Sequence, residues 1–241
     1  MPRQAFTAEE IVVQKQRIMD EAANTMASEG ISQLSMRALA TSVNMTAANL
    51  YNYFPSKRQL FIETTQRGYE LLDSYTKDGV ASFEEPRDKL AGLLKSAVHF
   101  AHDWTGYWEL MVHPPLQLRE DLENGDSDLT GDLRQRTSNR MIDLFTKLLS
   151  QSGVTLTPPE ADSSMPGIEG IAENGFGPDT IWVRMITLLT NTHGLIDLYN
   201  HKMLDGFNVD VPPLIDALID SSIDILLPTI DQPAPGLSNE R

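Results

Sequence analysis

"LSMRALATSVNMTAANLYNYFPSK", residues 34–57, reads as two short helices joined by a turn. Ser35 and Thr46 stand where N-caps belong, and Leu39, Ala40, Val43, Met45 and Leu50 are spaced so that all can point inward. A tight helix-turn-helix asks for a residue at positive φ between its helices, which glycine supplies at least cost. Here that residue is Asn44. Asparagine is the side chain other than glycine that best tolerates the left-handed region, because its short amide bonds to local backbone. The penalty against glycine is on the order of 1 kcal/mol or less. The turn stands, and it leaves Arg37, Ala47, Ala48, Asn49, Asn52 and Tyr53 to face outward.

That outward face suits a nucleic acid. A recognition helix needs small residues where its backbone nears the groove floor and a few polar side chains to reach base edges. "TAAN" at 46–49 supplies both: alanines for thymine methyls and Asn49 for adenine. Thr46 opens the helix, where free N–H groups favour phosphate. Tyr51, Tyr53 and Lys57 form a hydroxyl, hydroxyl, ammonium series fit for the DNA backbone. Spacing alone also admits an ordinary helical hairpin with a solvated polar face.

Working outward, almost every segment reads as helix, and no strand alternation, internal repeat or low-complexity tract is seen. "TAEE" at 7–10 is a capping box, and Ile11, Ile18, Ala22 and Met26 recur on one face until Gly30. "SKRQ" at 56–59 follows Pro55 and opens a long helix to about Asp78. Pro86 opens a helix that runs through Trp104 and Trp108 and stops before Pro114-Pro115. A short helix is expected over 116–122, an amphipathic one over 131–151, and two more over 179–203 and 212–227. Residues 153–178, rich in Pro, Gly, Ser and acid, read as a long loop, and the tail from 231 should fray.

Charge divides the chain. The net of −15 argues against nucleic acid at first sight. Residues 1–67, however, carry seven basic and six acidic side chains, leaving twelve basic and twenty-eight acidic for the remainder. DNA, if bound, is bound by the first quarter. The absence of cysteine removes disulfides, thiolate metal sites and thiol nucleophiles, in keeping with a reducing cytoplasm. No apolar run approaches the ~20 residues that span a bilayer, and no signal-peptide h-region opens the chain. A cytoplasmic protein that does not enter the membrane is expected.

The stretch from "EEIVVQKQRIMDEAANTMASEG" through "LYNYFPSKRQLF" resembles the DNA-binding domain of the TetR (tetracycline-repressor) family of bacterial regulators. The alanine pair before "SEGI", the "LSMRALA" second helix and above all "LYNYFPSKRQLF" carry the likeness. The resemblance implies an all-α protein: a three-helix DNA-binding domain over 1–56, then a ligand-binding and dimerisation domain over 57–230 that helix 57–78 connects to it. Residues 231–241 are expected to be a flexible tail. It implies base contacts from Arg37, Ala47, Ala48 and Asn49, and phosphate contacts from Ser35, Thr46, Tyr51, Tyr53 and Lys57. Asn44 and the Ala47-Ala48 pair depart from the commonest family pattern, which leaves the operator sequence open.

In the remainder, "IWVRMITLLTNTHGLIDLYNHKML" at 181–204 is similar to a common helix of the family, whose last two helices pair across a dimer. Leu214, Leu218, Ile219, Ile223 and Ile225 independently make the final helix apolar on more than one side, which calls for a second partner. A homodimer through helices near 179–203 and 212–227 also fits DNA reading, since paired recognition helices sit about 34 Å apart. An effector pocket follows from the resemblance. Trp104, Trp108, Met111, Phe145 and Met185 are its candidates, with an apolar or amphipathic small molecule as ligand; each is also a plausible core residue.

His99 and His102 share a helix face, but the ligand set around them looks incomplete, so no metal and no cofactor is expected. No G-x-S-x-G, phosphate-binding glycine loop or H-E-x-x-H occurs, and no enzyme is expected. The reading is a ligand-responsive, sequence-specific regulator, a repressor that releases a palindromic operator. Two alternatives are a DNA-organising or cell-division regulator without an effector, and a helical small-molecule-binding protein with a vestigial DNA-binding unit.

Overall fold

The computed structural model describes residues 7–115, 131–151, 181–207 and 210–226. Among them are nine α-helices and no strand: α1 Ala8–Glu29, α2 Met36–Ser42, α3 Ala47–Tyr53, α4 Lys57–Ala81, α5 Pro86–Asp103, α6 Thr105–Val112, α7 Gly131–Gln151, α8 Ile181–Asn200 and α9 Val211–Leu226. The expected helix over 116–122, the loop over 153–178 and the tail from 231 lie outside the described residues.

Local chemistry sets the first boundaries. Thr7 accepts from the Glu10 N–H while the Glu10 carboxylate accepts from the Thr7 N–H, a complete capping box for α1. Gly30 ends α1 at φ 90°, a value that L side chains rarely adopt. The Ser56 hydroxyl accepts from the Gln59 N–H at 3.0 Å and so opens α4.

One expectation is corrected here. The helix from Pro86 does not run on to the prolines at 114–115: it breaks at Trp104, φ −123° and ψ 44°, and restarts as α6. The N–H groups of Tyr107 and Trp108 both turn to the Trp104 carbonyl, so the new helix has its own first turn. The break lets α6 lie against α1, where Gly106 faces the Ala23 carbonyl so closely that a Cβ would sit 1.8 Å from its oxygen. A continuous apolar pattern cannot reveal a change of axis.

Compactness divides the chain into two units that do not follow chain order. One joins residues up to Tyr75 with His99–Ser138, and the other joins Thr76–Val98 with Asn139 onward. The core of the first unit includes Ile18, Ala22, Met26, Leu39, Leu50, Phe54, Leu60, Phe100, Tyr107 and Leu110. In the second unit, Gly79 and Gly92 bring α4 and α5 together backbone to backbone, since a Cβ on either would fall within 2.6 Å of the other's carbonyl oxygen. Ile215, Ile219 and Ile223 form the buried stripe of α9, and Asp220 and Asp224 of that helix meet Arg87 and Lys95 of α5. The hydrogen bond to Asp224, ahead of the opposing desolvation, holds the Arg87 guanidinium above its usual range.

Candidate nucleic-acid interface

The turn between α2 and α3 is a Schellman closure. Asn44 takes φ 58°, its N–H donates to the Thr41 carbonyl at 3.0 Å, and the Met45 N–H donates to the Ala40 carbonyl at 2.7 Å. Both carbonyls would otherwise lack a partner at the end of α2. Asparagine therefore does here what glycine does elsewhere. Ser35 caps α2 by accepting from Ala38, and Thr46 caps α3 by accepting from Asn49 at 3.2 Å. As an acceptor, each hydroxyl keeps its own hydrogen to donate outward.

Leu39, Ala40, Val43 and Leu50 are buried as their spacing requires, and Met45 is half-buried. The exposed surface of the pair carries Ser35, Arg37, Thr46, Ala48 and Asn49, with Ala47 half-buried beside them. Tyr51 is 46 % exposed. Tyr53 is a correction: it is buried, 8 % exposed, not outward-facing. It lies three residues from Leu50, which puts both on one face of α3, and that face is the core.

Lys57 is half-buried, and its ammonium stands 5.3 Å from the Phe61 ring centroid, a cation–π arrangement that restrains the side chain at the start of α4. Lys15 is engaged elsewhere, in an ion pair with Glu63 at 2.7 Å and 5.1 Å from the Phe54 ring. Thus the two lysines differ: one is neutralised, the other held by an uncharged ring.

The residues singled out for an effector divide between the two units. Trp104, Trp108 and Met111 belong to the first unit, and Phe145 and Met185 to the second. Trp108, Phe145 and Met185 are buried, while Trp104 and Met111 are half-buried. The Trp104 indole N–H donates to the Tyr75 hydroxyl at 3.0 Å, and its ring meets Tyr107 edge to face. His99 and His102 are exposed, and among the described residues no group of three His, Asp or Glu is arranged to hold a metal.

Sequence reasoning missed a polar cluster joining three helices. Asp20 of α1, Arg67 of α4 and Tyr107 of α6 are hydrogen-bonded to one another. Only side-chain chemistry could have hinted at it, because its members are 40 or more residues apart.

A helix-turn-helix with both helices capped, the first turn of its second helix made of small residues that face largely outward, is an arrangement that DNA-binding regulators use. Residues 18–64 match the family model "Bacterial regulatory proteins, tetR family". The match covers the helix-turn-helix domain and the start of α4. Solved structures share the fold across almost the whole length at low identity. A TetR-family transcriptional regulator from Thermus thermophilus, PfmR, is 13 % identical with a TM-score of 0.58, covering 95 % of this chain and 100 % of that one. A putative TetR-family regulator from Rhodococcus is 14 % identical with a TM-score of 0.61, covering 89 % and 99 %. The fatty acid degradation regulator FadR from Bacillus halodurans is 10 % identical with a TM-score of 0.60, covering 99 % and 100 %. No curated protein matches the sequence. No helix among the described residues is long and apolar enough to cross a membrane.

Proposed function

We propose that this chain is a homodimeric, ligand-responsive repressor that binds a palindromic operator and releases it when a small molecule binds. The observation that carries the DNA half of the reading is the exposed face of α3 behind the Asn44 turn. With Ser35 and Arg37 of the α2 segment and Lys57 at the start of α4, it gives the site: Arg37, Ala47, Ala48 and Asn49 read bases, and Ser35, Thr46, Tyr51 and Lys57 hold phosphates. Tyr53 is the weakest member of the phosphate set, because its ring is spent on the core.

A dimer is supported by what α8 and α9 leave uncovered. Ile186 is 52 % exposed and Ile225 75 % exposed, and Leu218 lies on the same surface of α9 as Ile225, seven residues away. Apolar side chains repeated at helical spacing and left to water call for a second copy, and two-fold symmetry then supplies two reading helices. Trp104, Trp108, Met111, Phe145 and Met185 remain the assigned effector residues, for an apolar or amphipathic molecule. An effector acts only by favouring a subunit arrangement whose reading helices no longer match the groove.

The test is selection of duplexes from a random-sequence pool by the full-length protein, followed by mobility shifts at moderate salt. Enrichment of a two-fold symmetric sequence, bound by a dimer, is expected. Enrichment of nothing, with retention that depends only on salt, would overturn the reading.

A further inference from the structure

Three helices of the first unit meet at one carboxylate. Asp20 Oδ1 of α1 accepts from the Tyr107 hydroxyl of α6 at 2.7 Å and from Arg67 Nε of α4 at 3.1 Å. Arg67 Nε also reaches the Tyr107 oxygen at 3.0 Å, and Arg67 Nη2 lies 3.5 Å from Asp20 Oδ2. Tyr107 is fully buried, and the Arg67 side chain is 18 % exposed. Charge-assisted bonds to a partly desolvated carboxylate are stronger and more directional than neutral ones.

Glycine sits beside two of the three clamp residues. Gly106, next to Tyr107, gives α6 its close approach to Ala23 of α1. Gly68, next to Arg67, leaves room for Met111 and Tyr107 of α6; a Cβ there would lie 2.6 Å from the Met111 sulfur and 3.3 Å from the Tyr107 ring. Close helix approach and ionic closure therefore coincide.

Helix α1 uses two faces. Ile18, Ala22 and Met26, one turn apart, enter the core. Asp20 and Ala23, three residues apart and so neighbours on the helix, meet α6. The reading helix α3 lies between α1 and α4 in sequence, joined to α4 through Phe54-Pro55-Ser56. Fixing α1 and α4 to α6 therefore fixes the frame in which α3 is offered.

We propose that Asp20, Arg67 and Tyr107 are positioning residues: a clamp that sets the angle at which the three-helix reading unit stands on α4 and α6. It thereby narrows the half-site separation that the dimer accepts. The inference rests on the DNA-reading function proposed above. Desolvation weighs most on both titratable members. It raises the Tyr107 hydroxyl well above the usual phenol range, with Asp20 adding to the rise, and it opposes the Arg67 rise that the Asp20 bond and the neighbouring oxygens nevertheless produce. Both groups thus keep their donor protons throughout the pH range in which DNA is bound.

The experiment uses the full-length protein and a duplex that the wild type has selected from a random pool, alone and with one base pair inserted or deleted at the dyad. The wild type should discriminate sharply among the three duplexes. Tyr107→Phe and Asp20→Asn should narrow that discrimination by about tenfold, the scale of one charge-assisted hydrogen bond. The salt slope should not change, since no phosphate contact is lost. Thermal stability is measured in parallel, and Arg67→Lys serves where either of the others fails to fold.

Variants that unfold earlier yet keep the wild-type discrimination would show a merely structural cluster and overturn the clamp. A fall in salt slope for Arg67→Lys would make Arg67 a phosphate ligand and overturn it equally. A wild type that selects no duplex overturns the DNA reading itself, and the clamp with it, before any variant is made.

Discussion

Two turns close in the same way, one in each compact unit. After α2, Asn44 takes φ 58° and the Met45 N–H returns to the Ala40 carbonyl; after α8, Lys202 takes φ 56° and the Met203 N–H returns to the Leu198 carbonyl. The backbone solution is shared, but the residue is not. Asparagine is suited to the left-handed region and its turn sets the geometry of a DNA-reading pair; lysine is not suited, and its turn only ends a helix. The contrast extends to the units that hold them. Around Asn44, caps, turn and apolar spacing all specify the same local structure. Around Lys202, the helices are held by the isoleucine stripe of α9 and by the Arg87, Lys95, Asp220 and Asp224 ion pairs, none of which is local in sequence.

The largest effects should come from the reading unit. Leu50 is fully buried beneath α3, and Leu50→Ala should cost about 2–5 kcal/mol, read as a shifted denaturation midpoint with loss of duplex binding. A comparable loss for Met203→Ala, 63 % exposed beside the Lys202 turn, would erase the difference between the two regions.

The glycines sharpen the comparison next. In Gly106→Ala the new methyl meets backbone, the Ala23 carbonyl, so α6 must withdraw from α1; a loss of at least ~1–3 kcal/mol is expected. Gly194 in α8 has nothing within 4 Å of a would-be Cβ, so Gly194→Ala should gain up to ~1 kcal/mol from helix propensity. Thermal melts of both variants decide it, and a loss at Gly194 would mark that position as covered by a second copy.

On DNA, Asn49→Ala should relax preference at one symmetric pair of positions by ~1–3 kcal/mol, measured by competition among single-base variants of the selected duplex. Lys57→Ala should weaken all duplexes alike and reduce the log–log salt slope by about 0.9 per half-site. The smallest effects belong to the two turns. Lys202→Gly should stabilise by up to ~1 kcal/mol and Asn44→Gly by less, because asparagine already tolerates the conformation. Equal gains at both would remove the distinction drawn above.

What could be read in the sequence follows the same division. Thr7, Ser35, Thr46 and Ser56 announced their helices because an N-cap needs only a hydroxyl and an N–H two or three residues on. Asn44 was legible for the same reason. Tyr53 was misplaced because its hydroxyl suggested the surface, whereas its spacing from Leu50 put the ring in the core. The break at Trp104 left no local mark, since the residues on either side continue an apolar pattern. Asp20, Arg67 and Tyr107 were invisible as a group, because tertiary packing brings together positions 40 to 87 residues apart.

The most direct test of the central claim is a hydroxyl-radical footprint of the full-length protein on a duplex that it has itself selected. The account predicts two protected half-sites related by a dyad and centred about 34 Å or a multiple of it apart. Asn49→Ala should alter one position in each. Protection that is uniform along the duplex and indifferent to Asn49 would contradict it.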